Sequence, residues 1–458
     1  MLHRVLFNGI RGLTGSLILF PFAERLEGRD IRGKQRRFTA EMATPFDERR
    51  AHSWAAVIET VRFAGEKVPY YRELFTRIGF DPDSLLRDPK FLDDIPLLTK
   101  NTVREEGVRL LRDDHASYRK HPTKTGGSTE PSVHIYYDQD AADWASAVVR
   151  HARAAIGAGP MRSELHFASK FPEKFPWKAR LREQMKCLSN NRYNIFFASF
   201  ELDELEFIWR RIRSIRPYLV HGHPSTLYQL ALHVEAMHGR GGGAFHIFES
   251  SGELLQKKQR ETIARVFRCK VIDRYGLAEI GVAAYQADPE KSDMLVFDPL
   301  AWPEVIPLED ETELPNTDEA GIGELVLTGL KNRMMPLIRY RTGDMATLRE
   351  TPAGFAISQM VGRVHDIIEI AGHRLPTHYI QDVLDRVGGV KEFQIEIRES
   401  RPVFRIVAEP GVDREGFRDR LTNWWGDAVE VEFIETEALI LKGWRSKFRH
   451  LISPVAGS

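Results

Sequence analysis

The chain has 458 residues, enough for two or three domains with a large core. Hydrophobic residues make up 42% of it and charged residues 28%, which is typical of globular proteins and excludes a disordered or fibrous one. The 65 Lys and Arg residues balance the 65 Asp and Glu residues, so net charge gives no support for nucleic acid as a partner. We therefore expect a small-molecule partner.

The N-terminal region contains a short apolar run at residues 17–20. Asn8 and Arg11 interrupt the apolar sequence before it, and no small-x-small cleavage site follows. The uninterrupted stretch is shorter than the roughly 18 to 20 residues that a membrane span needs. We expect an amphipathic segment packed on the body of the protein, and no membrane span.

Apolar residues at helical spacing predict a helix over residues 51–65. It leads into residues 68–72 (Val-Pro-Tyr-Tyr-Arg) and, further on, into the apolar link 95–100. In this link Thr99 is suited to cap a helix that starts near Lys100. These segments are predicted to be scaffold.

A polar loop follows at Thr125, Gly126, Gly127, Ser128 and Thr129, directly before the predicted strand 133–137. Small residues let backbone amides approach an anion, and the hydroxyl groups add donors, so the loop is suited to hold phosphates. A flexible surface hairpin explains the same residues equally well, because Gly and Ser also mark plain turns.

Helices are predicted over residues 141–156 and 201–216. The basic stretch 170–186 between them is suited to the phosphates of a second substrate, but a solvated helix face is favoured. A short buried strand then ends at His221 and His223, for which a pocket or core role is favoured over metal binding. Phe197 is a candidate for the same pocket, although the core is the favoured place for it.

A strand over residues 245–249, a helix over 256–267 and a strand over 270–274 follow one another. This order predicts a parallel sheet, and ligands gather at the carboxyl ends of the strands of such sheets. The residues at those ends are Ser251, Gly252, Glu253, Tyr275, Gly276 and Glu279. The alternative explanations are a core aromatic for Tyr275 and a solvated carboxylate for Glu279.

Residues 336–344 (Pro-Leu-Ile-Arg-Tyr-Arg-Thr-Gly-Asp) follow the predicted buried strand 324–328. Thr-Gly-Asp predicts a turn, which would place the Asp344 carboxylate at the end of an element. There it could accept from the two vicinal hydroxyls of a ribose, but an ordinary surface turn explains the tripeptide alone. A hairpin is predicted next over residues 346–358, and a domain boundary near residue 362 precedes a small α+β region.

In order and spacing these motifs resemble the adenylate-forming superfamily of acyl-CoA synthetases. The resemblance is to the phenylacetate-CoA ligase-like branch, which includes the capsule-biosynthesis CapK proteins. The motifs that carry it are residues 68–72, 96–100, 127–129, 275–279, 335–344 and 362–363. It implies an α/β fold with a large N-terminal domain (1–360) that contains parallel-sheet layers and binds ATP and a carboxylate. A small mobile α+β domain (361–458) would follow.

The resemblance also implies roles for individual residues. Thr125 to Thr129 would cover the ATP phosphates, and Ser251, Gly252 and Glu253 would border the adenine. Tyr275, followed by Gly276, would stack on the adenine. Glu279 would help to hold Mg2+, and Asp344 would bind the ribose diol.

Three further residues are assigned by the resemblance. Arg363 and Arg374 would lie close to the nucleotide. Lys447 corresponds to the C-terminal catalytic lysine, where an ammonium can bridge the attacking carboxylate and the α-phosphate. The alternative for Lys447 is a solvent-exposed lysine among basic neighbours.

The sequence departs from the family pattern at two positions. Glu130 stands where a Gly usually follows the Ser-Thr pair, and a carboxylate about 4 Å from a phosphate charge costs roughly 1 kcal/mol in water and about 4 at an effective dielectric of about 20. His365 stands where an acidic hinge residue is common, with Asp366 beside it. The His could make the hinge pH-sensitive.

The leading hypothesis is a ligase that uses ATP and Mg2+ to adenylate a carboxylate and passes the acyl group to the thiol of CoA. The alternatives are an amine, carrier-protein or hydroxyl acceptor, or a nucleotide-binding protein without turnover, which Glu130 favours. Cys187 and Cys269 are too few for a disulfide framework, which suits a reducing compartment and predicts a cytoplasmic protein. The expected state is a monomer or a homodimer.

Overall fold

The computed structural model describes most of the chain. The described residues are 2–124, 133–169, 176–197, 201–288, 291, 293–307, 321–363, 367–371, 373–376, 380, 383–384, 387–398, 401–442, 447–448 and 450–452.

The α-helices are α1 Leu2–Thr14, α2 Phe20–Leu26, α3 Ile31–Met42, α4 Phe46–Lys67, α5 Pro69–Ile78, α6 Lys100–Glu106, α7 Gln139–Ala155, α8 Trp177–Ser189, α9 Leu202–Ile215, α10 Pro224–His238, α11 Lys257–Phe267 and α12 Arg414–Trp425. A π-helix, Gly15–Leu19, joins α1 to α2. Short 3-10 helices are Pro82–Leu86, Pro89–Asp94, Gly107–Leu110, His115–Ser117, Gly426–Ala428 and Thr436–Ala438.

The first strands are β1 His121–Lys124, β2 His134–Tyr137, β3 Glu164–Ser169, β4 Arg192–Phe197, β5 Leu219–Gly222, β6 Ile247–Ser250, β7 Lys270–Leu277, β8 Gly281–Tyr285, β9 Met294–Val296 and β10 Ala301–Ile306. The later ones are β11 Ile322–Gly329, β12 Tyr340–Thr351, β13 Gly354–Arg363, β14 Ile367–Ile370, β15 His373–Pro376, β16 Val390–Arg398, β17 Arg401–Ala408, β18 Glu430–Phe433, β19 Leu441–Lys442, β20 Lys447–Phe448 and β21 Leu451–Ile452.

The predicted helices form close to where the periodicity places them. The helix expected over residues 51–65 lies within α4, and the helix expected over 256–267 is α11. Thr99 caps α6 as predicted, because its Oγ1 accepts a 3.1 Å hydrogen bond from the Thr102 amide.

One 11-stranded sheet organises the larger part of the molecule, in the order β10-β11-β12-β13-β9-β8-β7-β6-β5-β3-β4. The half from β4 to β7 is parallel, and the other half is antiparallel. The strand–helix–strand unit β6–α11–β7 is therefore a parallel crossover. The predicted α/β fold with a parallel-sheet layer is confirmed.

Helices cover both faces of the parallel half, which is why its strands are strongly apolar. On one face, α9, α10 and α11 pack against side chains such as Val220, Phe248 and Val271. On the other face, α3 and α7 pack against Leu219 and Ile272. The carboxyl ends of β5, β6 and β7 consequently come together at one edge of the sheet.

The C-terminal region forms a smaller sheet in the order β18-β17-β16-β21, with α12 on the same core as Phe393 and Phe404. It contacts the larger part through hydrogen bonds and apolar packing. Tyr228 Oη donates to Lys391 O over 3.2 Å, and Lys258 Nζ donates to Val390 O over 2.5 Å. Val407 and Leu439 are buried in the same core cluster as α9, α10 and α11. The boundary between residues 360 and 361 stays a prediction.

The N-terminal region differs from the expectation. Leu6–Leu26 forms a continuous helical stretch of 21 residues with a mean hydropathy of 1.2, which by length and composition is enough to cross a membrane. Asn8 and Arg11 therefore interrupt the apolar sequence but not the helix, and one such helix near the N-terminus is weak evidence for a membrane span. The segment does pack on the body as predicted, but through its polar side.

Candidate functional site

The carboxyl ends of β5 and β6 are joined by a small set of hydrogen bonds. The Ser251 amide donates to Gly222 O over 3.1 Å, which continues the β5–β6 pairing beyond the strands. His223 Nδ1 lies 2.9 Å from Ser251 O. Glu253 Oε2 accepts a 3.2 Å hydrogen bond from the Ser225 amide at the start of α10. Gly252, between them, has φ +85°, a conformation that favours glycine. The predicted turn after β6 is thus held in place.

Tyr275 and Asp344 meet beside this edge. The Tyr275 hydroxyl donates a 2.8 Å hydrogen bond to Asp344 Oδ2, and both residues are buried. Because β7 and β12 are separated by several strands in the sheet order, this bond links its parallel half to its antiparallel half. The structure therefore brings together the two residues predicted to contact the adenine and the ribose.

Thr342, Gly343 and Asp344 do not form a turn, contrary to the prediction. They lie inside β12, where the register against β11 shifts between Glu324 and Val326, so they form a β-bulge. Gly343 has φ +73°, and Thr342 Oγ1 donates a 2.7 Å hydrogen bond to Leu325 O. The bulge re-aims Asp344 without ending the strand.

Two segments that the sequence marked only as scaffold brace this region. Tyr71 Oη donates to Pro336 O over 3.2 Å and accepts from the Ile338 amide over 3.1 Å. Leu98 pairs with the same stretch: its amide donates to Arg339 O over 2.9 Å, and its carbonyl accepts from the Arg341 amide over 3.0 Å. The motifs at residues 68–72 and 96–100 thus hold the strand that carries Asp344.

Arg339 completes the brace. Its φ of +50° is unusual for a residue with a side chain and is held by surrounding contacts. Nε donates to Glu304 over 3.0 Å, and Nη1 donates to the carbonyl oxygens of Asp93 and Ile95 over 3.0 and 2.9 Å. Sequence patterns did not indicate this role, because Asp93 and Ile95 lie more than two hundred residues from Arg339 and Glu304 lies 35 residues away.

Glu279 is buried just past β7, contrary to the solvated alternative. Its Oε1 accepts a 2.7 Å hydrogen bond from the Tyr340 hydroxyl, and Tyr137 fixes the neighbouring backbone by donating to Ala278 O over 2.8 Å. Glu279 also borders a cavity of about 10 Å³, together with Lys331 and Asn332. A carboxylate at a cavity wall is a hard oxygen ligand of the kind that Mg2+ takes alongside substrate phosphates.

A buried charged cluster that the sequence analysis missed lies beneath the strand ends. Its centre is Glu249 on β6, which is completely buried. Arg153 Nη2 donates to it over 2.7 Å, Arg274 Nη1 over 3.2 Å and the Tyr285 hydroxyl over 2.7 Å. A carboxylate inside the apolar run Ile-Phe-Glu was the available signal, because a buried charge requires partners.

Histidines extend this cluster toward the strand ends. His221 Nδ1 lies 2.9 Å from Glu249 Oε2, and the rings of His166 and His221 are 4.8 Å apart between centroids. Burial lowers the pKa of His166 to about 4 and that of His221 to about 3, so both imidazoles are neutral at pH 7. Burial opposes ionisation of Glu249, but Arg153 and Arg274 outweigh it and hold its pKa well below the ordinary value.

The candidates for the substrate pocket, Phe197, His221 and His223, lie in two different environments. Phe197 is buried in the core between the sheet and helices α9 and α10, with its ring 5.9 Å from that of Phe167. Its position favours the core explanation. His221 and His223 are half-buried at the end of β5, which suits a pocket wall.

Gly276 is exposed at the end of β7, and a Cβ there would come within 3.0 Å of Gly281 O.

Several predicted residues lie wholly or partly outside the described residues. Thr125, Gly126, Gly127, Ser128 and Thr129 do so, as do Glu130, His365 and Asp366. For Arg363, Arg374 and Lys447 the structure describes the backbone alone. Arg363 lies directly opposite Asp344 in the β12–β13 ladder, Arg374 lies opposite Glu369 in β15, and Lys447 lies opposite Lys442 in β20.

No protein-family model matches the sequence, whereas individual proteins do. The chain is 25% identical to phenylacetate-coenzyme A ligase of Escherichia coli (strain K12) over 421 residues, 87% of this chain and 86% of that protein. Phenylacetate-coenzyme A ligase of Pseudomonas putida is 27% identical over 363 residues, 74% and 76% of the two chains.

Solved structures show the same fold. A 2-hydroxyisobutyryl-CoA ligase in the postadenylation state, in complex with 2-HIB-AMP, superposes with a TM-score of 0.70 at 18% identity and covers 90% of both chains. The chain is a homologue of the phenylacetate-coenzyme A ligases and has the fold of the adenylate-forming CoA ligases.

Proposed function

We propose that this protein is an ATP-dependent ligase that converts a carboxylic acid to its acyl-adenylate and then transfers the acyl group to the thiol of CoA. The observation that carries the proposal is the hydrogen-bonded pair Tyr275–Asp344 beside the buried Glu279, in a chain homologous to CoA ligases. Tyr275 at the end of β7 and Asp344 in the β12 bulge are only 9% and 7% exposed, and Tyr275 belongs to a core cluster. The proposal is that this ring and this carboxylate take up the adenosine.

The chemistry follows in two steps. A carboxylate oxygen of the acid attacks the α-phosphorus of ATP, the bond to the β-phosphate oxygen breaks, and pyrophosphate leaves. The CoA thiolate then attacks the acyl carbon, and AMP leaves with the oxygen that the acid supplied. Asp344 binds the ribose hydroxyls in both steps, with one of its oxygens already fixed by Tyr275.

Residues of this chain also have to stabilise the charge that builds at the phosphates. Lys447 is the proposed catalytic residue of the first step, since its ammonium can bridge the incoming carboxylate and the α-phosphate. The loop from Thr125 to Thr129 supplies amide and hydroxyl donors to the phosphates. Arg363, whose backbone lies opposite Asp344 in the sheet, and Arg374 are the proposed cationic neighbours of the nucleotide.

Glu279 is the proposed protein ligand for Mg2+. One of its oxygens is oriented by Tyr340, and a single carboxylate with substrate phosphates is a common way of binding this ion. When bound, Mg2+ would neutralise charge on the leaving pyrophosphate. Ser251, Gly252 and Glu253 are the proposed neighbours of the adenine. The support is that they follow β6, which pairs with the strand that carries Tyr275.

The half-reactions need different groups at one site, and a mobile C-terminal domain can supply them in turn. Opening would break the hydrogen bonds from Tyr228 and Lys258 to the backbone of β16 and would expose Val407 and Leu439, which pack on the core of the larger part. His365 would lie at the hinge. We further propose that the enzyme is cytoplasmic, in agreement with the free thiols of Cys187 and Cys269, and acts as a monomer or homodimer.

The test is pyrophosphate release from ATP and Mg2+ in the presence of a library of acids that includes phenylacetate. Each acid is assayed with hydroxylamine, with CoA, and with neither acceptor. Release that depends on one class of acid, with CoA raising turnover, supports the proposal. Measurable ATP binding without acid-dependent release by any acid would overturn it and favour a nucleotide-binding protein without turnover.

A further inference from the structure

We define the N-terminal helix as residues 2–26. A helix that packs on a protein core usually turns its apolar side inward, whereas most large apolar side chains of this helix face outward. Its inward side is mainly polar: Asn8 Nδ2 donates to Ile215 O over 2.8 Å, and Ser16 Oγ donates to Pro160 O over 2.6 Å. Phe20, which packs with Ile31 and Ala147, is a large apolar residue that is buried on this side. Gly12 and Gly15 complete this side, where an added Cβ would come within 2.1 Å of Met161 O and 2.5 Å of Leu188 O. The helix therefore approaches the body closely through small and polar residues.

Its outward side is apolar. The side chains there are each 49% to 66% exposed, and they are Leu6, Ile10, Leu13, Leu17, Ile18 and Phe22. The spacing of three or four residues places most of them in one stripe along the helix. A contiguous exposed stripe of this kind marks a surface that contacts something else.

Helix α8, beside the N-terminal helix, has exposed apolar residues of its own. Its apolar residues Trp177, Leu181 and Met185 recur at every fourth position and are at least 50% exposed. The helix borders the N-terminal helix, since Gly15 packs on Leu188 at the end of α8. We call the exposed apolar side chains of these two helices the apolar face.

Cations flank the apolar face. Helix α8 carries four of them, Lys178, Arg180, Arg182 and Lys186, against one carboxylate, Glu183. Amphipathic helices with apolar and cationic sides lie in the interface of membranes that contain anionic lipids. A second copy of the chain would fit less well, because a symmetric contact would bring these cations against their own copies.

The contacts of the inward side favour a helix that lies on a membrane over one that crosses it. Arg11 donates to the carbonyl oxygens of Cys187 and Arg192 over 3.2 and 2.9 Å, and its guanidinium lies 4.0 Å from the centre of the Tyr193 ring. Leaving the body to span a bilayer would place Arg11 and Asn8 in hydrocarbon without these partners.

We propose that the apolar face docks this protein on an anionic membrane surface, with the N-terminal helix lying in the lipid interface. The proposal goes beyond the ligase activity and does not depend on it. It explains why large apolar side chains point away from the body while glycines and polar side chains point toward it.

The test is co-sedimentation of the full-length protein with phosphatidylcholine vesicles, with and without phosphatidylglycerol. The protein should bind the anionic vesicles, and binding should weaken as salt rises. In the variant L6Q/I10Q/L13Q/L17Q, binding should fall by roughly ten-fold or more, because four apolar side chains no longer enter the interface. Pyrophosphate release in solution should not change.

Two controls make the result specific. Leu86 and Leu202 are both 62% exposed on other surfaces, so L86Q/L202Q should bind vesicles like the wild type. The variant K178Q/R180Q changes only exposed cations and should lower affinity for anionic vesicles by roughly five-fold per cation. This variant also tests the proposal if the four-glutamine variant fails to fold.

Two outcomes would overturn the proposal. One is no binding to either kind of vesicle by the wild type. The other is vesicle binding whose affinity changes neither with salt concentration nor in the variant K178Q/R180Q. A concentration-dependent dimer that the four-glutamine variant abolishes, without vesicle binding by the wild type, would assign the apolar face to a second copy instead.

Discussion

The hydroxyl of Tyr275 donates a 2.8 Å hydrogen bond to Oδ2 of Asp344, and this bond ties the end of β7 to the bulge in β12. Tyr275→Phe removes the bond and keeps the ring. We expect the KM for ATP to rise roughly five-fold, the equivalent of about 1 kcal/mol for one hydrogen bond. Initial rates of pyrophosphate release at varied ATP measure this.

Asp344→Asn is the stronger test of the same contact, because the ribose then loses a charged acceptor. The expected rise in KM for ATP is about ten- to a hundred-fold, equivalent to roughly 1.5 to 3 kcal/mol. An unchanged KM in a folded Asn variant would show that the ribose binds elsewhere.

The hydrogen bonds of Tyr71 to residues 336 and 338 predict that a substitution at Tyr71 changes both stability and ATP affinity. Tyr71→Phe removes the hydroxyl that bonds to the Ile338 amide and the Pro336 carbonyl, and leaves both buried groups without this partner. The change should lower the free energy of unfolding by about 1 to 3 kcal/mol. ATP affinity should also fall, since Asp344 is carried by the same stretch. Chemical denaturation and ATP titration check the two effects.

The matched control for this prediction is its neighbour. Tyr70 is half-buried beside Tyr71, with the two rings 5.0 Å apart. Tyr70→Phe should leave stability and ATP affinity close to the wild-type values. If both variants behave alike, the bracing role of the Tyr71 hydroxyl is wrong.

Lys447→Ala should slow adenylation strongly while ATP binding stays nearly intact, because the ammonium acts on charge that builds only as the carboxylate attacks. Single-turnover formation of acyl-adenylate measures the first property and equilibrium dialysis the second. Lys442→Ala is the matched control, since Lys442 lies opposite Lys447 in β19 and β20. Wild-type adenylation by the Lys447 variant would remove the residue from the mechanism.

Buried histidines predict how the free energy of unfolding depends on pH. Burial lowers the pKa of His166 and of His450 to about 4 and that of His221 to about 3. In the unfolded chain these imidazoles take up protons below about pH 6.5, whereas in the folded protein they do not. The unfolded state therefore binds more protons between about pH 6.5 and 4, and stability falls as the pH falls through that window.

Each such histidine contributes up to about 1.4 kcal/mol per pH unit within the window. Denaturant titrations at a series of pH values give the slope. His450→Gln should reduce this slope by the contribution of one proton, up to about 1.4 kcal/mol per pH unit, because the side chain at position 450 then no longer titrates. A wild-type free energy of unfolding that stays constant from pH 6.5 to 4.5 would contradict this account.

The sequence predicted the parts of the fold that depend on neighbours along the chain. Strand, helix and strand over residues 245–275 were found from their periodicity, and their rhythm alone predicted parallel pairing of β6 and β7. Tyr275 and Asp344 were each selected from short motifs. Their direct contact was not predicted, because it joins positions 69 residues apart.

The features that the sequence did not predict have physical reasons. Thr-Gly-Asp has turn chemistry, and only the pairing partner on β11 decides that it forms a bulge instead. Tyr71 acts through the backbone of a segment 265 residues away, which local patterns do not contain. The N-terminal segment was predicted to pack on the body, but its sequence did not say which side faces inward. The close approach at Gly12 and Gly15 decides this.

The central claim is that the acid itself is adenylated and that AMP leaves with one of its oxygens. The most direct measurement supplies an active acid with both carboxylate oxygens replaced by 18O, together with ATP and CoA, and determines the mass of the AMP. The account predicts one 18O atom in each AMP and the other in the thioester. AMP without label, with the second 18O atom found in phosphate, pyrophosphate or water instead, would contradict it.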